Sequence, residues 1–272
     1  MRDISFIIPT YNAGRHLERA LKSIRGQDYP RERIKVFIAD GGSSDNTLDI
    51  AARYDCLVLN NPLRLAEYGL KLGMQSASTE FLVPFAADNE LVGSDWVKKV
   101  IDTFNKDETI SAVWGKLVSG QDDPPLNKYF ELIQSDPLNW FLNHNLDRYR
   151  MEAGVKAGAS GYFILSVDPR KPLVWGANGL VYRAERIKRI WEHDGYLGDN
   201  DAFQSMVEKG DNKVAYFSEP FVYHHHVATI NDWVKKWKRN YRLHFLDKLK
   251  TRNLNWVFLP GFNQRMLLWI VY

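Results

Sequence analysis

With 272 residues, 45% of them apolar and 13% aromatic, the chain can bury a large core, which excludes a disordered or low-complexity protein. A net charge of +3 excludes a nucleic-acid-binding field over the whole molecule, and no nucleic acid partner is expected. The single cysteine, Cys56, excludes an internal disulfide and reads as a small buried residue of a strand in a reducing compartment.

The first apolar run ends at Pro9, too soon for a signal-peptide core or a membrane span, so a cytoplasmic protein is expected. Ile4 to Ile8 predicts a strand that closes on Pro9, Thr10, Tyr11, Asn12, Ala13 and Gly14. Leu17, Ala20, Leu21 and Ile24 then recur at helical spacing. A second unit has Ile34 to Ala39 as strand, an Asp40 to Asp45 loop with two glycines, and a helix from about Asn46 to Tyr54 capped by Asp45 or Ser44. Cys56 to Leu59 reads as a third strand, Leu65 to about Gln75 as a third helix, and Phe81 to Phe85 as a fourth, doubly covered strand that empties into Asp88, Asn89 and Glu90. Alternation at this spacing predicts a Rossmann-like α/β fold, a mostly parallel central sheet flanked by helices.

Trp96 to Phe104 repeats the helical period and Ala112 to Val118 reads as a strand. From Gly120 to Pro172 the pattern loosens into an aromatic excursion that includes Tyr129, Phe130, Trp140, Phe141 and Tyr149. Val174 to Arg183 restores order, followed by a helix to about Trp191, a loop from Gly195 to Asp201, a helix from Ala202 to Glu208, and two closing strands, Val214 to Phe217 and Phe221 to His226. From Asn231 the chain mixes Trp233, Trp237, Tyr241 and Phe245 with Lys235, Lys236, Lys238, Arg239, Arg242, Lys248, Lys250 and Arg252. This basic, aromatic, helical extension suits the surface of an anionic membrane, and a solvated helix face is the plainer alternative.

Loops that leave the carboxyl ends of parallel strands meet at one sheet edge, where open α/β sheets bind ligands. Pro9, Thr10, Tyr11 and Asn12, the Asp40 and Gly41 loop, and Asp88 would build a polar pocket there. Asp40 can accept a base's ring N–H, Gly41 lets the backbone approach a ribose, and Asp88 can hold a divalent cation bridging phosphates. In this order and spacing the motifs resemble family 2 of the inverting glycosyltransferases, of the GT-A fold, and most nearly the bacterial succinoglycan type of exopolysaccharide transferase.

The resemblance continues through Asn61, Pro62, Arg64, Gly69, Leu70, Lys71 and Gly73, and through Gly176, Ala177, Asn178 and Arg183, which match a glycine-containing strand beside the donor sugar. Gly198, Asp199, Asn200 and Asp201 match the family's Glu-Asp motif, and the resemblance implies that Asp199 is the catalytic base. It also implies a GT-A domain over residues 1–230, with a nucleotide-binding half at 1–118 and an acceptor half at 119–230, followed by an extension at 231–272.

Two departures stand out. The family's Asp-x-Asp metal motif falls on Ala86, Ala87 and Asp88, so its first carboxylate is missing, and Gly198 replaces the expected Glu. Mn²⁺ or Mg²⁺ held by Asp88 with His224 or His226, two residues apart on one face of the closing strand, is the expected compensation. The implied reaction is a single displacement that moves a sugar from a nucleoside diphosphate, with uracil the first candidate base, to a hydroxyl of a polysaccharide or lipid-linked glycan. The cation, Arg64, Arg239 or Arg242 would stabilise the leaving diphosphate. Two other classes stand beside this reading. One is a noncatalytic, membrane-docked protein that binds sugar nucleotides, motivated by Ala86. The other is a nucleotidyltransferase, disfavoured because Thr10, Tyr11 and Asn12 stand where its glycine-rich basic loop belongs.

Overall fold

The computed structural model describes residues 1–133, 155–156, 161–169, 178–190, 198–240 and 242. Trp140, Phe141, Tyr149, the stretch 170–177 with Gly176 and Ala177, Trp191, Gly195, Tyr241 and residues 243–272 lie outside the described residues.

Alternation along β1 (Ile4–Thr10) sends Phe6 and Ile8 to one face of the sheet and Ile7 to the other, and each face has its own buried cluster. Helices α1 (Gly14–Arg25), α2 (Thr47–Arg53) and α4 (Trp96–Lys106) cover the Phe6 face. Helices α3 (Ala66–Ser76), α6 (Ala184–Ile187) and α7 (Asp199–Glu208) cover the other. Contact on the α3 side is direct: a Cβ at Gly73 would lie 2.2 Å from Ile7 Cγ2, so only glycine lets this helix lie so close to β1.

Among the described residues the sheet runs β3 (Leu57–Asn60), β2 (Ile34–Asp40), β1, β4 (Phe81–Pro84), β9 (Val181–Arg183), β6 (Ala112–Val118), β10 (Lys213–His224), β8 (Tyr162–Ser166), β7 (Val155–Lys156), with β5 (Asn89–Leu91) paired to β10. The first four strands are mutually parallel, as the alternation predicts. Beyond them the sheet is mixed: β9 runs antiparallel to both β4 and β6, whereas β6 and β10 are parallel. One sheet therefore threads both expected halves, because β9 lies between β4 and β6.

Several boundaries differ from expectation. The two predicted closing strands are one, β10, which carries register shifts between Phe217 and Val222, around Pro220. Proline cannot donate to a ladder, so the strand bulges there without ending. Strand β3 is an edge with Leu57 and Val58 each 50% exposed, not a buried core strand, and Cys56 stands half-buried just before it. Burial pushes the Cys56 thiol up to about 11, so it remains protonated. Helix α7 begins three residues earlier than its periodicity predicts, and Asp201 is buried with Oδ2 accepting from the Gly198 N–H at 3.3 Å.

Arg183 is buried, and its side chain is engaged with the end of α4. Its guanidinium donates to the carbonyls of Ile110 (2.8 Å), Phe104 (2.7 Å) and Asp107 (3.3 Å), and lies 4.8 Å from the Phe104 ring centroid. A cation at the carboxyl end of α4 meets the partial negative charge of the helix terminus, so no carboxylate is needed to satisfy it.

Candidate active site at the carboxyl edge of the sheet

Thr10 and Asp40 are register partners at the ends of β1 and β2, and Phe85, just past β4, donates its N–H to Ile7 of β1. Parallel pairing thus sends three loops off the same edge. The first two are laced together. Thr10 Oγ1 donates to Asp40 Oδ1 at 2.9 Å, Ser43 Oγ donates to the same oxygen at 2.6 Å, and the N–H groups of Gly42 and Ser43 donate to Oδ2, both at 2.8 Å. Burial raises the Asp40 pKa, but these donors outweigh it and hold the carboxyl below its ordinary value. Four donors fill the roughly four lone-pair sites of a carboxylate. Asp40 therefore shapes the loop first, and a base could reach it only by displacing a donor.

Asn12, in the left-handed region at φ 50°, takes the Ser44 N–H on its Oδ1 at 2.8 Å and gives its own N–H to Ser43 Oγ at 2.8 Å. The opening N–H groups of α1 are also taken: Ala13 donates to Thr47 Oγ1 and Gly14 to Asp45 Oδ2. Tyr11 is half-exposed at the mouth, with the Arg64 guanidinium 4.8 Å from its ring centroid and Nη1 donating to its hydroxyl at 3.3 Å. Arg64 (φ 55°) packs against Gly41, where a Cβ would lie 3.2 Å from Arg64 Cγ. The structure therefore seats Arg64 with the Asp40 loop.

The third loop carries Asp88. Strand β5 follows at once and pairs antiparallel with the end of β10, setting Asn89 opposite His224, and the His225 N–H donates to the Asp88 carbonyl at 3.0 Å. Histidines 224 and 226 do not share a strand face as expected, because β10 ends at His224 and the chain turns, with the His226 N–H on the His224 carbonyl. The turn folds the second ring back, so that His226 Nδ1 lies 3.1 Å from His224 Nε2. One ligand atom from each of Asp88, His224 and His226 lies within 4.8 Å of the others. Burial, with smaller contributions from neighbouring charges, drives both imidazoles down, His224 to about 3, so both are neutral. Asp88 Oδ1 is buried with no hydrogen-bond partner. An orphaned carboxylate oxygen beside two neutral imidazoles is a donor set suited to a divalent transition metal.

Three further groups were not legible in the sequence. Lys236, from α8 (Ile230–Asn240), brings Nζ to 3.2 Å from His226 Nδ1 and 3.9 Å from Asp88 Oδ2. His225 is clamped by Asp123 Oδ1 at 2.8 Å, with Arg19 Nη1 at 3.0 Å and Glu90 Oε2 at 3.3 Å from its other nitrogen, in a polar cleft of about 270 Å³. His16 of α1 is half-buried; burial lowers its pKa and the charge of Asp88 opposes the shift. Of the remaining sequence candidates, Asn178 accepts from Asn89 Nδ2 at 3.1 Å, which ties it to the Asp88 loop. Arg239 and Arg242 are exposed. Asp199 is the first residue of α7, and its side chain lies outside the described residues.

The family model described as glycosyl transferase family 2 matches residues 5–166, the stretch that builds all three loops. The chain belongs to this family. Over 149 residues it is 28% identical to the dolichyl N-acetyl-α-D-glucosaminyl phosphate 3-β-D-2,3-diacetamido-2,3-dideoxy-β-D-glucuronosyltransferase of Methanococcus voltae, covering 51% of this chain and 46% of that protein. The chain thus spans about half the length of that curated relative. Among solved structures, residues 1–349 of Staphylococcus aureus TarS superpose with a TM-score of 0.59 at 16% identity, covering 98% of this chain and 72% of that one. Glucosyl-3-phosphoglycerate synthase from Mycobacterium tuberculosis, solved with Mn²⁺, uridine diphosphate and glucosyl-3-phosphoglycerate, gives 0.54 at 17% identity, covering 91% and 80%. Family 2 membership and these likenesses establish the GT-A type of fold expected from the motifs, with helices on both faces of the sheet.

Proposed function

We propose that this family 2 chain is an inverting glycosyltransferase that moves a sugar from a nucleoside diphosphate, UDP foremost, to a hydroxyl of a polysaccharide or lipid-linked glycan. The observation that carries the reading is the convergence of the Asp40 loop and the orphaned Asp88 carboxylate on one sheet edge, within the segment that matches the family. The relatives' names add support, since the Methanococcus voltae protein is by name a glucuronosyltransferase acting on a dolichyl N-acetyl-α-D-glucosaminyl phosphate and the Mycobacterium tuberculosis structure holds a uridine diphosphate.

In this reading the Tyr11 ring and Arg64 flank the base and ribose at the Asp40 loop, with Pro9, Thr10, Asn12 and Gly41 forming its floor. Asp88, His224 and His226 are the residues that would hold Mn²⁺ or Mg²⁺, and imidazole ligands favour Mn²⁺ of the two. Such a cation, when bound, supplies Lewis-acid charge to the leaving diphosphate. Asn89 and Asn178 order the loop behind Asp88. Asp199 takes the proton from the attacking hydroxyl, and exposed Arg239 and Arg242 are held to be further sources of positive charge for the phosphates. The extension from α8 onward is proposed to dock peripherally on the cytoplasmic face of a membrane.

Calorimetric titration of UDP into the chain, in Mn²⁺ and in excess chelator, tests the donor assignment. Binding that tightens with Mn²⁺ is expected; no binding of UDP in either condition would contradict it.

A further inference from the structure

We propose that Lys236 is a further residue of the donor site, placing its ammonium on the leaving diphosphate and restoring positive charge at a motif that lacks one of its two usual carboxylates. This inference rests on the donor reading above and concerns a side chain that reading does not use.

Three observations carry it. First, Lys236 comes from α8, far from the Asp88 loop in sequence, yet its Nζ stands 3.2 Å from His226 Nδ1 and 3.9 Å from Asp88 Oδ2, among the atoms that form the candidate cation site. Second, the side chain as a whole is 33% exposed, so Lys236 is neither fully solvated nor enclosed. An ammonium has three N–H donors, and His226 accepts one, which leaves two for an incoming anion. Third, the charge count fits: the motif keeps one of its two carboxylates, Asp88, with Ala86 in the other place, and one ammonium stands beside it. The Lys236 charge is thus in place before any metal, and a cation, when present, adds to it.

In the step this serves, the bond between the anomeric carbon and the β-phosphate oxygen breaks and its electron pair stays on that oxygen. The acceptor oxygen bonds to the anomeric carbon, and the acceptor proton passes to the base. Lys236 keeps all of its protons throughout and stabilises the oxygen charge by donation. The competing account is purely structural, in which Lys236 only neutralises Asp88 and ties α8 to the body.

The test uses the full chain in excess chelator, so that lysine is read apart from metal, and measures affinity for UDP and for uridine in wild type, Lys236→Met and Lys236→Arg. The proposal expects Lys236→Met to lose at least tenfold in UDP affinity with uridine unchanged, and Lys236→Arg to stay within about threefold of wild type, since charge is retained. Should Lys236→Met fail to fold, Lys236→Gln takes its place and the arginine variant still reads the charge. Unchanged UDP affinity in the neutral variants, or equal losses for UDP and uridine, would overturn the proposal while leaving the donor reading intact. A wild-type chain that binds UDP neither in chelator nor in Mn²⁺ overturns both.

Discussion

Asp40 shows how a residue can be legible by type while its partners are not. Its position after a predicted strand, ahead of two glycines, marks it from sequence as a ligand-edge carboxylate, but nothing local shows that Thr10, Gly42 and Ser43 fill its acceptor sites. Those contacts depend on β1 and β2 pairing in a register only the folded sheet defines. Asp40→Asn should therefore act on stability as well as on nucleotide binding, because the amide nitrogen turns a donor toward donors. Leaving one or two such groups unsatisfied costs about 1–3 kcal/mol. Urea denaturation checks this, and a variant as stable as wild type would contradict the four-donor arrangement. Lys236 was less legible still: it sits in a run of basic residues, and only the docking of α8 distinguishes it from exposed Lys235, Lys238 and Arg239.

Among the elements, those with strong period and hydrophobic runs were readable. Strand β6 falls where its β-branched and aromatic run predicts, and α4 runs only two residues beyond its apolar spacing. Strand β5 was not readable, because Asn89, Glu90 and Leu91 carry no strand signal and are extended only by pairing with β10. The turn after α4 is another case. Asp107 there accepts from Lys213 Nζ at 2.8 Å, from the Thr109 N–H at 2.9 Å and from the Thr109 hydroxyl at 2.5 Å, joining α4, β6 and β10. Its hydrogen bond from Lys213, followed by that from Thr109, holds its carboxyl at about 2 against an ordinary value of 3.8. A depressed folded-state pKa contributes stability above the unfolded value, lost as pH falls toward the folded one. Asp107→Asn should thus cost on the order of 1–2 kcal/mol at pH 7, with allowance for partial exposure, and flatten the stability curve between about pH 4 and pH 2. Thermal melts across that range report it; an unchanged acid limb would count against the Lys213 bridge.

For the whole molecule, the fold class followed from alternation, and family resemblance from loops in order, whereas the mixed second half of the sheet depends on pairings distant in sequence. Residues Leu132 (82% exposed), Ile230 (66%) and Tyr129 (48%) lie on α5 (Pro125–Ile133) and α8, which meet through Phe130 and Trp233 with ring centroids 6.3 Å apart. No helix among the described residues is long and apolar enough to cross a membrane. With Lys235, Lys238 and Arg239 exposed on α8, peripheral docking is the expected mode. Each basic residue near an anionic surface contributes about 1 kcal/mol, so neutralising these three should weaken co-sedimentation with anionic vesicles by about a hundredfold. Absence of sedimentation at low salt would end the docking proposal. The central claim, that the chain catalyses transfer and does not merely bind a nucleotide, is tested most directly by release of nucleoside diphosphate from UDP-sugars with a lipid-extracted glycan acceptor, comparing wild type with Asp199→Asn. The variant keeps size and hydrogen-bonding shape but lacks the basic oxygen, so it should bind UDP as wild type does while turnover falls by about 10² to 10⁴. Near wild-type turnover in Asp199→Asn, or a wild-type protein that binds UDP-sugars and never turns them over, would contradict it.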